Sequence, residues 1–306
     1  MQDRLTTPID GKEPGGVSRT LDLDVPVHYL EWDGPSERTF VLVHGLGGSA
    51  ANWIRVGPAL AQRGRTIAVD LAGFGRTPKG TRSASLLANR RLLSQIISET
   101  ASPTTVLAGN SMGGGLTLLQ AGLEPGSVAG IVPTSSIWPP VWHALPAPIV
   151  AGTFLAYRAP GTGPWMMRQR FGRLTTEELV RLGFRMTTND PSRIPPDVVQ
   201  AQIDAARVHR DDPGAPQAFL QAARSIMQLY DRRKRFRALL DRITCPVLVV
   251  HGRDDRFVPV SVAARAWRDH PSWQMRIMTD CGHAPQLEWP DRWLQAVGAW
   301  IDDRGL

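Results

Sequence analysis

The sequence predicts an α/β protein: a doubly wound, mostly parallel sheet with an inserted helical cap domain. Short β-branched runs alternate with helix-compatible segments through the first half of the chain, which is typical of parallel sheets. This alternation stops near residue 137 and returns near residue 246, and helical periods fill much of the interval. The predicted domains are a flexible N-terminal tail (residues 1–20), a core domain in two parts (residues 21–136 and 236–306) and a cap or lid (residues 137–235).

The first half of the chain supplies most of the predicted sheet. Residues 25–32 alternate well enough for an edge strand, whereas residues 39–43 and 66–69 are short β-branched runs typical of buried strands. A similar run ends at Ser111, and another covers residues 129–133. Apolar residues at helical spacing predict helices over residues 52–62, 83–99 and 116–123.

The interval that interrupts the sheet begins with an unusual segment. Residues 138–164 are rich in proline, glycine and tryptophan, and no charged side chain occurs between Glu124 and Arg158. The prolines prevent a continuous membrane-spanning helix, so an apolar hairpin that covers a pocket is expected instead. Thr175 and Glu178 have the spacing of a capping box. The helical periods of the cap cover residues 175–186, 196–208 and 216–240.

The last part of the chain returns to the sheet pattern, with strands at residues 246–250 and 274–279 and helices at residues 260–269 and 291–302. Cys245 would begin the first of these strands, and Cys281 follows the end of the second. The two cysteines therefore lie at opposite ends of the sheet, beyond the roughly 7 Å Cα reach of a disulfide. No disulfide framework is predicted.

Composition restricts the function classes. The 306 residues are 42% hydrophobic and carry a net charge of +7, almost all of it from arginine. The arginines are spread along the chain among acids, so neither a nucleic-acid partner nor a dedicated nucleic-acid-binding face is predicted. The dense run at residues 232–237 is interpreted as a solvated helix face. Residues 1–16 are polar and lack a signal-peptide pattern, so a cytoplasmic location is expected.

The residue predicted to act as the nucleophile is a serine with a glycine two residues away on each side. The stretch Gly109-Asn110-Ser111-Met112-Gly113 directly follows a buried-type strand and precedes a helix-compatible segment. So sharp a strand-to-helix turn exposes the serine hydroxyl as a nucleophile. Strand and helix pass so closely there that a Cβ at Gly109 or Gly113 would clash. The stretch predicts a nucleophile elbow.

Serine needs a base and an acid to act at neutral pH. His283 follows the last predicted strand, and either Asp254 or Asp255 follows the strand before it. Residues that follow parallel strands converge on one edge of the sheet, so these side chains can meet Ser111. His44 and His251 also follow strands, but each precedes the glycine of a tight turn and is expected to hold its loop by hydrogen bonds.

Five motifs together resemble the α/β-hydrolase family, and the resemblance extends from Val25 onward. In that family the acid lies three residues after the glycine and four before the proline, which implies Asp255 as the acid beside Ser111 and His283; Asp70 is implied to hold a turn. The motifs are His44-Gly45-Leu46-Gly47-Gly48 with Trp53, Asp70-Leu71-Ala72-Gly73-Phe74-Gly75, Gly109-Asn110-Ser111-Met112-Gly113, Gly252-Arg253-Asp254-Asp255-Arg256-Phe257-Val258-Pro259, and Gly282-His283.

Two of these stretches, residues 109–114 and 252–259, resemble a narrower group, the meta-cleavage-product hydrolases, which cut carbon–carbon bonds. The chain departs from that group where Ala284 replaces a tryptophan and Leu46 replaces a glycine. The cap arginine that binds substrate in the group cannot be located; the candidates are Arg181, Arg185 and Arg193.

An oxyanion hole needs two backbone N–H groups aimed at the developing charge. The N–H of Met112, at the start of the helix after the nucleophile, is one predicted donor, and that of Leu46 is the other. No metal and no cofactor is predicted. The residues expected to line or gate the pocket are Asn110, Trp53, Trp138, Trp142, Phe154, Trp165 and Phe257.

The sequence favours a serine esterase that hydrolyses a small-molecule carboxylic ester with an apolar acyl or alcohol part. The alternatives are a carbon–carbon hydrolase of meta-cleavage-type dienones, a cofactor-free perhydrolase or haloperoxidase, and a non-catalytic receptor for a small ligand on the same fold. Contact of the uncharged cap hairpin with a membrane surface, and a homodimer, are the further partners considered.

Overall fold

The computed structural model of the protein describes residues 5–6, 12–13, 16–100, 102–141 and 144–306. Within those ranges a mostly parallel sheet forms the centre of the fold. Its strands are β1 (Leu5–Thr6), β2 (Lys12–Glu13), β3 (Gly16–Asp22), β4 (Pro26–Trp32), β5 (Arg38–Val43), β6 (Arg65–Val69), β7 (Thr104–Asn110), β8 (Gly130–Thr134), β9 (Leu248–Gly252) and β10 (Gln274–Met278).

The helices follow the strands in the order that a doubly wound fold requires. They are α1 (Gly57–Ala61), α2 (Leu86–Thr100), α3 (Met112–Leu123), α4 (Pro148–Arg158), α5 (Thr162–Arg173), α6 (Thr176–Thr187), α7 (Pro196–Asp211), α8 (Ala215–Asp231), α9 (Arg233–Leu240), α10 (Val260–Asp269), α11 (Pro285–Glu288) and α12 (Pro290–Arg304).

The main strands lie side by side in the order β3-β4-β6-β5-β7-β8-β9-β10. Pairing is antiparallel from β3 to β6 and parallel from β6 to β10. The chain therefore adds strands on one side of β5 and then on the other, and the loops after β5 and β7 border the crevice where such folds bind ligands. The predicted fold class is confirmed.

Alternating side chains of the central strands pack on both faces of the sheet. On β5, Val41 and Val43 belong to one hydrophobic core with α2, α3 and α10. Phe40 and Leu42 belong to the other, with α1 and α12. Because both faces of the sheet are covered, the side chains of β5 from Phe40 to Val43 are all apolar. The sequence of this strand therefore has the pattern of a buried strand.

The amino-terminal region differs from the prediction. Residues 16–20 were assigned to a tail but form most of β3, which pairs along its length with β4. The predicted edge strand β4 consequently lies inside the sheet, between β3 and β6. Ser18 is a buried residue of β3, and its Oγ lies 2.7 Å from Nε2 of His28. Because this inward position is polar, the hydrophobic pattern of the sequence does not reveal the strand.

Helices α4 to α8 occupy most of the interval predicted as a cap. The capping box is confirmed: Oγ1 of Thr175 accepts from the N–H of Glu178, whose carboxylate accepts from the N–H of Thr175. The period predicted as one helix over residues 216–240 is two helices, because the backbone of Arg232 leaves the helical region (φ −97°, ψ 32°). Among the described residues, no helix combines the length and the apolar character needed to cross a membrane.

Candidate active site

Ser111 occupies a tight turn between β7 and α3. Its backbone has φ 57° and ψ −115°, a strained conformation for a residue with a side chain. A Cβ at Gly109 would lie 2.3 Å from the backbone of Gly113, and a Cβ at Gly113 would lie 2.2 Å from the carbonyl oxygen of Val43. Only glycine allows this close approach of strand and helix, so both glycines serve the steric role predicted for them.

The loops after β9 and β10 bring an acid and a histidine together. Nδ1 of His283 lies 2.7 Å from Oδ2 of Asp255, and both side chains are buried. This hydrogen bond directs Nε2 of the ring away from the acid, where it can take a proton. Asp254 is exposed, and its backbone N–H donates to Cys281. The geometry thus distinguishes the two aspartates, which their positions in the sequence alone did not.

Asp255 is held as a carboxylate. Burial opposes its ionisation, but the charge of His283 and hydrogen bonds from His251 and His283 outweigh burial and hold the pKa of Asp255 well below its usual range. Its other oxygen accepts backbone N–H bonds from Phe257 and Val258, at 2.8 and 2.9 Å. An anion so fixed can orient the imidazole and stabilise the imidazolium that forms when His283 takes a proton.

The loop after β5 packs against the elbow. A Cβ at Gly45 would lie 3.1 Å from Cβ of Ser111. Nε2 of His44 accepts from the N–H of Leu71, at 3.1 Å, which leaves Nδ1 to donate to the carbonyl of Gly45, at 2.7 Å. Burial lowers the pKa of His44, so the ring stays neutral and keeps this tautomer. His44 therefore holds the loop that carries Leu46, and the N–H groups of Leu46 and Met112 stay the proposed oxyanion donors.

Comparison with known proteins agrees with this geometry. The family model described as alpha/beta hydrolase fold matches residues 38–290. The chain belongs to the α/β-hydrolase family. A 2-hydroxy-6-oxononadienedioate/2-hydroxy-6-oxononatrienedioate hydrolase of Cupriavidus pinatubonensis is 30% identical over 264 residues, which cover 83% of each chain.

Two further similarities differ in the chemistry that they name. A 2-hydroxy-6-oxo-6-(2'-aminophenyl)hexa-2,4-dienoic acid hydrolase of Metapseudomonas resinovorans is 28% identical, covering 92% of this chain and 89% of that protein. The crystal structure of a protein of Acinetobacter baumannii AYE that is described as a lipase aligns with a TM-score of 0.75 and 25% identity, covering 95% of this chain and 93% of that chain. The chain is therefore similar both to carbon–carbon hydrolases and to a protein described as a lipase.

The side chain of Asn110, a residue predicted to line the pocket, forms hydrogen bonds with the backbone beside the site. Its side-chain amide is buried and donates to the carbonyl oxygens of His283, at 2.9 Å, and Thr134, at 3.3 Å. The residue beside Ser111 thus holds the backbone of His283 in place. Sequence spacing places Asn110 at the site but does not show that its amide holds the backbone there, and its place in the pocket stays a prediction.

The histidine loop is also tied to the segment that follows α6. The N–H of His283 donates to the carbonyl of Thr187, at 2.6 Å. The buried carboxylate of Glu288 accepts from the N–H of Gly282 at 2.7 Å through Oε2, and from the N–H groups of Asn189 and Asp190 at 2.8 and 2.9 Å through Oε1. Glu288 therefore joins the histidine loop to Asn189 and Asp190 of the predicted cap, a connection that no sequence motif indicated.

We expect Glu288→Gln to lower kcat by about 10- to 100-fold with little change in KM, because small displacements of a catalytic group are that costly. The amide has one accepting oxygen and cannot satisfy both sets of N–H donors. The thiol of Cys281, buried two residues from His283, reports the loop directly. Its labelling by a thiol reagent, measured in a Cys245→Ala background, should become faster in Glu288→Gln.

The matched control is Glu177→Gln, on the exposed surface of α6, which should leave both kcat and Cys281 labelling unchanged. Unchanged kcat in folded Glu288→Gln would show that the histidine loop does not depend on this carboxylate.

The two phenylalanines predicted for the pocket, Phe257 and Phe154, lie in different parts of the structure. Phe257 is half-buried and stacks on the His283 ring, with centroids 4.8 Å apart, so it borders the site. On α4 the ring of Phe154 contacts the ring of Tyr157. The Tyr157 ring in turn contacts the ring of Phe219 on α8, with centroids 5.5 Å apart. Phe219 in turn packs on the loop after β5, where a Cβ at Gly47 would lie 3.0 Å from its ring. Phe154 thus belongs to an aromatic wall that reaches the proposed oxyanion loop.

Of the four tryptophans predicted to line or gate the pocket, two are buried in the core, one is exposed, and the fourth, Trp142, lies outside the described residues. Trp53 is fully buried against Trp293, and Trp138 is buried beside Trp273. Neither retains the accessible surface that a residue lining an open pocket would have. Trp165 points outward from α5 and is 54% exposed.

Sequence reasoning missed Tyr157 and Phe219, because aromatic residues at helical spacing do not show which cavity they face. None of the three candidate cap arginines is seen to place its guanidinium group in the site. Arg193 is paired with Asp280 at 2.5 Å and lies over the ring of Trp289, so it braces the surface near the histidine loop. Arg181 and Arg185 stay candidates.

Proposed function

We propose that this α/β-hydrolase cleaves a carbon–carbon bond next to the ketone of a 2-hydroxy-6-oxo-dienoic acid. The observation that carries the proposal is the similarity to the Cupriavidus pinatubonensis hydrolase, which spans 83% of both chains. The departures at Leu46 and Ala284 favour an ester. Several relatives, however, are named as hydrolases of 2-hydroxy-6-oxo acids of this kind, and these names support carbon–carbon cleavage as the first candidate.

In the proposed reaction Oγ of Ser111 attacks the ketone carbon while Nε2 of His283 takes the hydroxyl proton. The N–H groups of Leu46 and Met112 hold the oxyanion. The form that reacts is the 2,6-dioxo tautomer of the substrate, in which the proton of the 2-hydroxyl group has moved to C5. As the intermediate collapses, the bond between C5 and C6 breaks and its electron pair is delocalised onto the 2-oxo group, which gives a dienolate. The leaving fragment then takes the proton from His283. Asp255 stabilises the imidazolium throughout.

The acyl group left on Ser111 is removed by water. His283 takes a proton from the water as its oxygen attacks the acyl carbon, and returns the proton to Oγ of Ser111 when the ester bond breaks. The products are a carboxylic acid and a dienoic acid, and the enzyme regains its starting state. The buried, fixed carboxylate of Asp255 suits both half-reactions, because each passes through a positively charged His283.

Ester hydrolysis is the second candidate. The similarity to the Acinetobacter baumannii protein described as a lipase favours it, together with the aromatic wall formed by Phe154, Tyr157 and Phe219. Both reactions use the same nucleophile, base and oxyanion donors. They differ in the leaving group, which is a stabilised carbanion in one and an alkoxide in the other.

A direct comparison of substrates tests the proposal. One protein preparation is assayed with a 2-hydroxy-6-oxo-dienoic acid and with p-nitrophenyl esters of increasing chain length. We expect kcat/KM for the dienoic acid to exceed that for the best ester at least tenfold. A higher kcat/KM for an ester would reverse the order of the two candidates, and Ser111→Ala run in parallel separates enzymatic turnover from spontaneous hydrolysis.

A further inference from the structure

The outer surface of the hairpin formed by α4 and α5 is exposed and apolar. Together with Leu145, in the loop before α4, it presents the four most exposed large hydrophobic side chains that the structure describes: Leu145 (73%), Ile149 (70%), Leu155 (60%) and Trp165 (54%). On α4 the exposed positions 149, 152 and 155 are three residues apart and so share one helix face. Among the residues that the structure describes, none covers these side chains.

The charge around this face is mostly positive. No aspartate or glutamate occurs between Glu124 and Glu177, while that interval contains four arginines, at positions 158, 168, 170 and 173. Arg158 at the end of α4 pairs with Asp231 at 3.0 Å, and Asp231 is followed directly by the exposed run Arg232-Arg233-Lys234-Arg235. The apolar face is thus bordered by two basic segments.

We propose that this surface, here called the cap face and formed by residues 145–173 and 232–235, docks on an anionic lipid bilayer. Leucine, isoleucine and tryptophan side chains enter the boundary between headgroups and acyl chains, while arginines bind the lipid phosphates. Trp165 and Arg168 stand three residues apart on the exposed side of α5, which places a ring and a positive charge at the same depth.

Charge favours a lipid surface over a second copy of this chain. A symmetric dimer through the cap face would place two mostly positive surfaces in contact. No acidic residue occurs between positions 124 and 177 to pair with them, and Asp231 at the border is already paired with Arg158. An anionic bilayer supplies the complementary charge, and it also removes the apolar side chains from water.

The cap face and the candidate active site share one helix. Tyr157 is buried on the inner side of α4 and contacts Phe219, which packs on the loop that carries Leu46. Docking through Ile149 and Leu155 on the outer side therefore holds the bilayer beside the aromatic wall of the site. The inference concerns binding alone and does not rest on which bond the enzyme cleaves.

Co-sedimentation of the full-length protein with vesicles tests the inference. We expect binding to vesicles of equal parts phosphatidylcholine and phosphatidylglycerol to be at least tenfold stronger than binding to phosphatidylcholine alone, since each basic residue near an anionic surface adds roughly fivefold. Raising NaCl from low to high concentration should weaken the binding, because salt screens exposed charges.

Two double variants separate the apolar and charged contributions. Ile149→Ser with Leu155→Ser should weaken binding by about tenfold or more, because two buried side chains are lost from the contact. Arg168→Glu with Arg173→Glu should weaken binding to a similar extent and remove the preference for anionic lipid. Leu87→Ser, at an exposed position on α2, is the matched control and should bind like the wild type.

Circular dichroism confirms that each variant is folded. The inference is overturned if the wild type does not bind anionic vesicles, or if Ile149→Ser with Leu155→Ser binds them equally well. A second outcome would also overturn it: the wild type does not bind vesicles, and sedimentation equilibrium shows a wild-type dimer that Ile149→Ser with Leu155→Ser dissociates. That result would assign the cap face to self-association.

Discussion

Ser111→Ala is expected to lower kcat by at least about 10,000-fold on any substrate that the enzyme turns over, while substrate still binds. The nucleophile, base and acid act as one unit, so the loss of the attacking oxygen removes nearly all the benefit of His283 and Asp255. The rate that remains comes from the oxyanion donors and from binding. Single-turnover kinetics under saturating substrate measures the effect without interference from product release.

Ser98→Ala, on the exposed side of α2, is the control and should match the wild type. If Ser111→Ala keeps more than a tenth of the wild-type rate while folded, another group performs the attack. The proposed mechanism would then be wrong for both candidate substrates.

Asp255→Asn is expected to lower kcat by about 10,000-fold, with little change in the folded structure. An asparagine side chain in this position either donates to Nδ1 of His283 or loses the hydrogen bond that now spans 2.7 Å. In the first case the ring takes the wrong tautomer, and in the second it loses its orientation. In both cases the imidazolium loses the buried carboxylate that stabilises it.

The neighbouring aspartate provides a closely matched comparison. Asp254→Asn removes the same charge from the same loop, but Asp254 is exposed, and the carboxylate that accepts from His283 belongs to Asp255. It should therefore stay within about twofold of the wild type, as surface substitutions usually do. Equal losses in Asp254→Asn and Asp255→Asn would mean that the charge of the loop matters and the hydrogen bond to His283 does not.

Those parts of the fold that follow local rules could be predicted from the sequence. The apolar run before Ser111 and the glycines at positions 109 and 113 identify the elbow, because close backbone approach tolerates no Cβ there. Parallel strands bring their following residues to one edge, and this is why His283 and an aspartate from the preceding loop could be paired in advance.

The features that could not be predicted depend on contacts between distant segments. Glu288 and Asn110 are polar residues in loops or at element ends, and only the folded chain shows that both hold the backbone around His283. Trp53 and Trp138 lie in motifs near the site but face the core. β3 was missed because its inward Ser18 is satisfied by His28, a partner ten residues away in the chain.

Labelling of the folded wild-type protein with a fluorophosphonate, followed by mass spectrometry of its peptides, tests the central claim most directly. A serine activated by His283 and Asp255 should take up one phosphonyl group, on the peptide that contains Ser111, and heat-unfolded protein should take up none. Asp255→Asn should label far more slowly. Absence of label on Ser111 in folded protein would contradict the account and favour a non-catalytic receptor on the same fold.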